Sequence, residues 1–297
     1  MTSIKVLAPA KVNLFLKVLN KRKDNYHNIL TLFEKISLAD DIKITKIPKG
    51  IVVSSDKLIT TNPRDNIAYR AAELLLKHKK LNSGIKIEIK KRIPIAAGLG
   101  GGSSDAASVL IGMNKLFGLR LKSNTLLELA SRLGSDVPFF ILDAPFAIGR
   151  RKGERLERID FRIRLWHLII YPGFKLATKD IYEAYDASRS LKYLTRNQDG
   201  VKIQLPLKHS MDFDEFRSML HNDLQKIVVF KEEVIGKIIK RLASLLRRRA
   251  IMSGSGPSVF CLFRTRKEAI ETKKILFSSL PALERKDWQA FIARTMD

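Results

Sequence analysis

Between residues 11 and 18 apolar and polar side chains alternate. Val12, Leu14, Leu16 and Val18 share one face, and Lys11, Asn13, Phe15 and Lys17 lie toward the other. A period of two is that of a half-buried strand, predicted here over 4–18 and closed by the polar turn 21–25. The same period recurs over 42–47, which Pro48 and Gly50 end, and over 85–90. A helical period takes over at 66–79, where Ile67, Leu74 and Leu75 face a core. It returns from about 104 to 117, with Gly118 as the stop, and over 125–133. Further on, strands are predicted at 165–171 and 259–263, and a polar helix at 179–188. A largely helical stretch covers 213–246, and a last helix begins near Lys267. Between the halves, 145–153 loosens into glycine and basic residues, which places a boundary between two domains, 1–152 and 153–297. Half-buried strands mixed with helices predict an α+β fold rather than a doubly wound parallel sheet.

Composition narrows the class. The 297 residues are 45% apolar, enough for a large core, and 29% charged, which excludes a disordered chain. No apolar run approaches the ~18–20 residues of a bilayer span, and residues 1–13 lack the pattern of a signal peptide. No membrane partner is therefore expected. With Cys261 alone, there is no intrachain disulfide and no cysteine-based zinc site, which suits a reducing, cytoplasmic setting. The five histidines show no ligand spacing.

The net charge of +25 raises a nucleic-acid reading, since lysine and arginine neutralise phosphate. Its distribution argues for a solvated basic surface. Residues 1–150 carry 25 basic and 12 acidic side chains and the rest 30 and 18, so no basic arm stands out. The densest runs, Lys21-Arg22-Lys23, Arg150-Arg151-Lys152 and Arg247-Arg248-Arg249, are short and free of interleaved aromatics. A small polyanionic substrate would suit the same surface.

The sharpest chemistry lies in Pro94-Ile95-Ala96-Ala97-Gly98-Leu99-Gly100-Gly101-Gly102-Ser103-Ser104-Asp105. Glycines let backbone approach a ligand closely, and a following helix turns unpaired N–H groups and the positive end of its dipole toward the loop. Ser103 and Ser104 add hydroxyls at the cap. A Walker loop is excluded because no lysine follows the glycines. A dinucleotide fingerprint is excluded because Ser103 stands where it needs glycine and the preceding strand has a wet face.

This loop resembles the central motif of the GHMP kinases, the small-molecule kinases named for galactose, homoserine, mevalonate and phosphomevalonate. Two flanking segments agree: Ala8-Pro9-Ala10-Lys11-Val12-Asn13 and Met252-Ser253-Gly254-Ser255-Gly256-Pro257. Within that superfamily, the 4-diphosphocytidyl-2-C-methyl-D-erythritol kinase family is singled out by three further segments. These are Asp24-Asn25-Tyr26-His27 with Thr31-Leu32-Phe33, Gly134-Ser135-Asp136-Val137-Pro138, and Asn222-Asp223-Leu224. The chain departs from the family pattern twice. Asn25 replaces the usual glycine, and 149–154 (Gly-Arg-Arg-Lys-Gly-Glu) is longer than the family's Gly-Arg-Gly-Glu type segment.

The resemblance implies a two-domain GHMP-kinase fold with ATP and substrate in the interdomain cleft. It also implies phosphorylation of the substrate's 2-hydroxyl, with magnesium as cofactor. On it, Lys11 and Asp136 are the catalytic pair. Pro94, Ala96, Gly98, Leu99, Gly100, Gly101, Gly102, Ser103 and Ser104 cradle the ATP phosphates, with Lys91 and Asn66 near the base. Asn13, Tyr26, His27, Phe33, Asp136, Thr178 and Tyr182 meet the substrate. Sequence identifies no magnesium ligand. A monomer or weak homodimer without a nucleic-acid partner is expected. A homoserine or mevalonate kinase would keep the loop but gives no reason for Tyr26-His27. An RNA-binding module would leave the glycine motifs unexplained.

Overall fold

The computed structural model describes residues 1–190, 211–246 and 249–296. The first half opens with two long strands, β1 (Ser3–Lys21) and β2 (His27–Ile47), paired antiparallel. There follow β3 (Ile51–Ser55), α1 (Ile67–His78), β4 (Gly84–Lys90), α2 (Gly101–Leu116), α3 (Ser123–Ser131) and α4 (Val137–Ile141). The hairpin β5 (Phe146–Arg151) and β6 (Arg155–Ile159) closes it. The second half runs β7 (Trp166–Tyr171), α5 (Thr178–Ser190), α6 (Phe213–Met219), β8 (His221–Asn222), α7 (Gln225–Lys231) and α8 (Glu233–Leu246). It continues with β9 (Ala250–Met252), β10 (Val259–Phe263), α9 (Arg266–Ser278), α10 (Ala282–Asp287) and β11 (Gln289–Arg294).

The first sheet has the order β3-β4-β2-β1-β8, with β5 also on β2 and β6 on β5. The second has the order β11-β7-β10-β9. The buried pattern stacks them into four layers. Ile42 and Ile44 of β2 and Ile85, Ile87 and Ile89 of β4 pack under α1–α4. Val12 and Leu14 of β1 and Leu30 and Leu32 of β2 face the other way, onto Ile169 of β7 and Phe260 of β10. The opposite face of the second sheet, Leu168, Ile170, Val259 and Cys261, packs under α5, α7, α8 and α9. Each such fully buried side chain contributes about 1.5–3 kcal/mol of transfer energy. Polar groups also tie the two sheets together. Buried Glu34 of β2 meets His167 Nε2 of β7 at 3.0 Å and accepts from Thr295 Oγ1 at 2.7 Å.

The α+β prediction and most of the elements agree with this architecture, but several readings are corrected. The strand read at 42–47 runs from His27, because its first half is buried on both faces and shows no alternation. The helix predicted from Ser104 begins at Gly101 with Gly100 as its N-cap, so Ser103 and Ser104 lie inside its first turn and not at the cap. Ile67 and Leu74 do face that core, packed against it partly buried beside the fully buried Ala68, Ala71, Ala72 and Leu75 of α1. The helical stretch 213–246 is broken by β8, which pairs with β1. The helix near Lys267 is followed by α10 and a final strand. The loosened segment 145–153 is itself ladder-bonded: residues 146–151 pair with Ile29–Glu34 of β2. The boundary drawn at 152/153 therefore falls inside a hairpin, and the chain changes sheets between Ile159 and Trp166.

Candidate active site

A cavity of about 1110 Å³ lies between the halves. The first half lines it with Lys11, Asn13, Tyr26, His27, the glycine loop and Asp136, and the second with Thr178, Tyr182 and residues 254–256.

The floor is backbone. Three segments distant in sequence, two of them glycine-bearing, are laced together: Lys11 N donates to Leu99 O at 2.9 Å, Ser258 N to Ala97 O at 3.2 Å, and Ser253 Oγ to Gly98 O at 3.0 Å. Two positions require glycine. Gly98 has φ +76°, and a Cβ there would stand 2.2 Å from the Ser253 carbonyl oxygen. Gly100, with φ +70°, would put one 2.9 Å from Lys11 Cγ. Ala96 holds a positive φ of 55° without that licence. The 252–256 segment is in turn held by Asn222, whose Nδ2 donates to Met252 O at 2.7 Å and Gly254 O at 2.8 Å.

Pro94, Ala96, Gly98, Gly100, Gly101, Gly102 and Ser103 all line the cavity. Leu99 and Ser104 do not. The Leu99 side chain is core between the sheets, and the Ser104 hydroxyl is buried without a partner. Asn66 caps α1 by accepting from Ala68 N at 2.9 Å, while its side chain reaches the cavity. Lys91 is buried between two carboxylates, pairing with Asp40 and with Asp105 at 2.8 Å. Burial works against its charge, yet Asp105 and Asp40 outweigh it and raise its pKa. Asp105 is pushed up to about 7, by burial first. Lys91 thus braces the start of α2 as well as lining the cavity.

At the centre, Lys11 Nζ donates to Asn13 Oδ1 at 2.6 Å and stands 3.6 Å from Asp136 Oδ2. Burial lowers the Lys11 pKa, and Asp136 opposes that fall. Asn13 is fixed in turn by donating to Thr31 Oγ1 at 2.8 Å, and Thr31 donates to Phe15 O at 2.7 Å. Phe33 lies beneath, stacked on Phe139 with centroids 4.9 Å apart.

The remaining wall is made of side chains. The His27 ring stacks on Tyr182 at 5.1 Å and 23°, and its Nε2 meets Asp186 Oδ1 at 2.7 Å. Lys21 joins Asp186 at 2.8 Å. Although burial pushes the other way, Lys21 and His27 hold the Asp186 carboxyl below the usual range. Burial raises the Tyr182 phenol. Tyr26 is 59% exposed with Lys152 Nζ 4.8 Å from its ring centroid, and Thr178 Oγ1 meets Ser255 Oγ at 2.9 Å. Sequence reasoning missed Asp186, although its place one helical turn after Tyr182 on α5 was a usable signal. It missed Asp40 and Asp105, which carry none.

Models of the GHMP kinases N terminal domain and the GHMP kinases C terminal domain match residues 66–144 and 205–282. The chain is 36% identical to the 4-diphosphocytidyl-2-C-methyl-D-erythritol kinase of Syntrophus aciditrophicus (strain SB), over 99% of this chain and all of that one. It is 41% identical to the enzyme of that name from Geobacter metallireducens, over 91% and 92%. This chain belongs to the 4-diphosphocytidyl-2-C-methyl-D-erythritol kinase family. A crystal structure of 4-(cytidine 5'-diphospho)-2C-methyl-D-erythritol kinase superposes with a TM-score of 0.77 at 30% identity, covering 99% of this chain and all of that one. A homoserine kinase from Cytophaga hutchinsonii shares the fold at 18% identity and a TM-score of 0.70. The family landmarks therefore converge in space. The Lys-x-Asn strand, the glycine loop, the Ser-Asp-Val-Pro turn and the Tyr-His pair all reach one cavity.

Proposed function

We propose that the chain transfers the γ-phosphoryl group of ATP to the 2-hydroxyl of 4-diphosphocytidyl-2-C-methyl-D-erythritol, giving the 2-phosphate and ADP in the non-mevalonate route to isoprenoid precursors. The observation that carries this reading is the shared cavity. A backbone cradle suited to phosphates and a His27–Tyr182–Asp186 wall suited to a nucleobase meet at Lys11 and Asp136.

The hydroxyl is tertiary and hindered, so positioning and charge stabilisation decide the rate. It enters beside Asp136. The new bond forms between its oxygen and Pγ as the bond from Pγ to the β–γ bridging oxygen breaks. Asp136 orients the hydroxyl and accepts its proton late, passing it to solvent as ADP leaves. Lys11, held by Asn13, stabilises the charge on the transferring group. Asp186 on His27 Nε2 leaves Nδ1 as an acceptor for the exocyclic amine of cytosine, and Tyr26 and Tyr182 supply faces for the ring.

The donor set fits a magnesium ion that arrives with the nucleotide. No group of three acidic, histidine or cysteine side chains could hold a metal among the described residues. Among the cavity-lining residues, the Ser103 hydroxyl and Asp105 Oδ1, the latter buried without a hydrogen-bond partner, would be its protein contacts. When bound, magnesium neutralises charge on the transferring phosphates. No helix among the described residues is long and apolar enough to cross a membrane. In this reading the working unit is a cytoplasmic monomer or weak homodimer with no nucleic-acid partner.

The test is ADP release with ATP, magnesium and the cytidyl compound, run beside methylerythritol 4-phosphate, mevalonate and homoserine. Turnover with the cytidyl compound is expected to exceed the residual rate with methylerythritol 4-phosphate by orders of magnitude, and none is expected with mevalonate or homoserine. Turnover with mevalonate or homoserine instead would overturn the substrate.

A further inference from the structure

A second cavity, of about 570 Å³, opens where the β1–β2 turn meets the β5–β6 hairpin, and four arginines line it: Arg22, Arg150, Arg151 and Arg155. Asn20 and Asn28 add amides, Asn28 accepting from Arg22 at 3.2 Å. We propose that this cavity is a binding site for a small diphosphate-bearing anion, separate from the glycine loop.

Four observations support it. First, charge is uncompensated. Arg22 is paired with Asp24 at 3.1 Å and also feels Glu154, but the guanidinium groups of Arg150, Arg151 and Arg155 have no ion pair and no hydrogen bond among the described residues. Second, Arg150 and Arg155 are directly opposite in the β5–β6 ladder, a like-charge pairing that is unfavourable unless something negative lies between. Third, Arg151 holds φ +58°, a left-handed conformation that a long side chain adopts only at a cost. Fourth, this cationic turn is the part of the chain that is longer than the family pattern, so the kinase reading does not account for it.

The ligand class follows from the chemistry. Guanidinium groups bind phosphate oxygens in pairs, with a geometry that lysine cannot match. Three unpaired positive charges around one concavity suit a dianion or trianion with two adjacent phosphate groups. The volume lies within the range of small-molecule pockets. A nucleic-acid strand would need a groove with stacking rings, and the lining residues include no aromatic side chain. Ile29 borders both this cavity and the larger one, and Lys152, next to Arg151, lines the larger one. Occupancy here would therefore be felt by the Tyr26–Lys152 contact.

The probe is inorganic diphosphate, titrated calorimetrically into the full chain at fixed ionic strength, with saturating ADP and magnesium to fill the glycine loop. Saturable binding with one site is expected. The double variant Arg150→Ala/Arg155→Ala should weaken it at least tenfold, with kcat for phosphoryl transfer within twofold of the parent and a melting temperature no lower than the parent's. A charge-keeping Arg150→Lys/Arg155→Lys variant should recover only part of the affinity. No binding by the parent, or equal binding by the alanine variant, overturns the site. Tight binding of a 12-nucleotide single-stranded RNA that diphosphate fails to displace overturns the ligand class.

Discussion

The two ends of the large cavity are built on different principles. At the phosphate end the working surface is main chain: glycines at positive φ, carbonyls of Ala97, Gly98 and Leu99 taken up by neighbouring segments, and the start of α2. At the base end it is side chain: His27, Tyr182 and Asp186, brought from β2 and α5 and held by one stack and one ring-to-carboxylate contact. Where the neighbour is another backbone, as at Gly98, a main-chain surface tolerates no added atom. Side-chain surfaces tolerate exchange and respond in affinity. The same cavity should therefore break at one end and retune at the other.

The largest effects fall where the two ends meet. Asp136→Asn keeps the shape and removes the proton acceptor, so kcat should fall about a thousandfold with both KM values within a fewfold. Lys11→Met should cost about a hundredfold or more in kcat. Near-normal kcat in either variant, measured by ADP release, would remove that group from the chemistry.

Next is Gly98→Ala, whose new methyl would meet the Ser253 carbonyl oxygen at 2.2 Å in a left-handed backbone. It should destabilise by about 2 kcal/mol or more and raise the KM for ATP. Gly118→Ala is the control, with φ +63° but nothing within 4 Å, and should cost about 1 kcal/mol with no kinetic effect. Equal losses of melting temperature would show that conformation alone, not close approach, fixes the loop.

Smaller changes belong to the base end. His27→Ala and Asp186→Asn should each raise the KM for the cytidyl substrate about tenfold, the loss of one good polar contact, and leave the KM for ATP within twofold. Tyr26→Ala, at an exposed ring, should raise it about threefold to tenfold. A matching rise in the KM for ATP would deny the division.

Legibility followed the same line. The phosphate end could be read from the chain because glycine, serine and proline at fixed spacing have few uses other than a close backbone approach, and the loop-to-helix order was visible. The position of the helix start was not, since Gly101 and Gly102 look like loop and lie in α2. Lys11 and Asn13 were legible as neighbours by strand period, and their 2.6 Å contact bears that geometry out. Thr31, Ser253, Asn222, Asp40 and Asp105 act through residues far away in sequence, which no period or spacing encodes. The short strand β8 and the last strand β11 were missed because two residues carry no period, and because β11 is only partly buried.

The most direct measurement of the central claim is the acceptor ratio. This is kcat/KM for the cytidyl substrate divided by that for methylerythritol 4-phosphate, in the parent chain and in His27→Ala, with ATP and magnesium saturating. The account predicts a large ratio in the parent that falls about tenfold in the variant, while the KM for ATP stays fixed. A ratio that does not change on removing the His27 ring would contradict it.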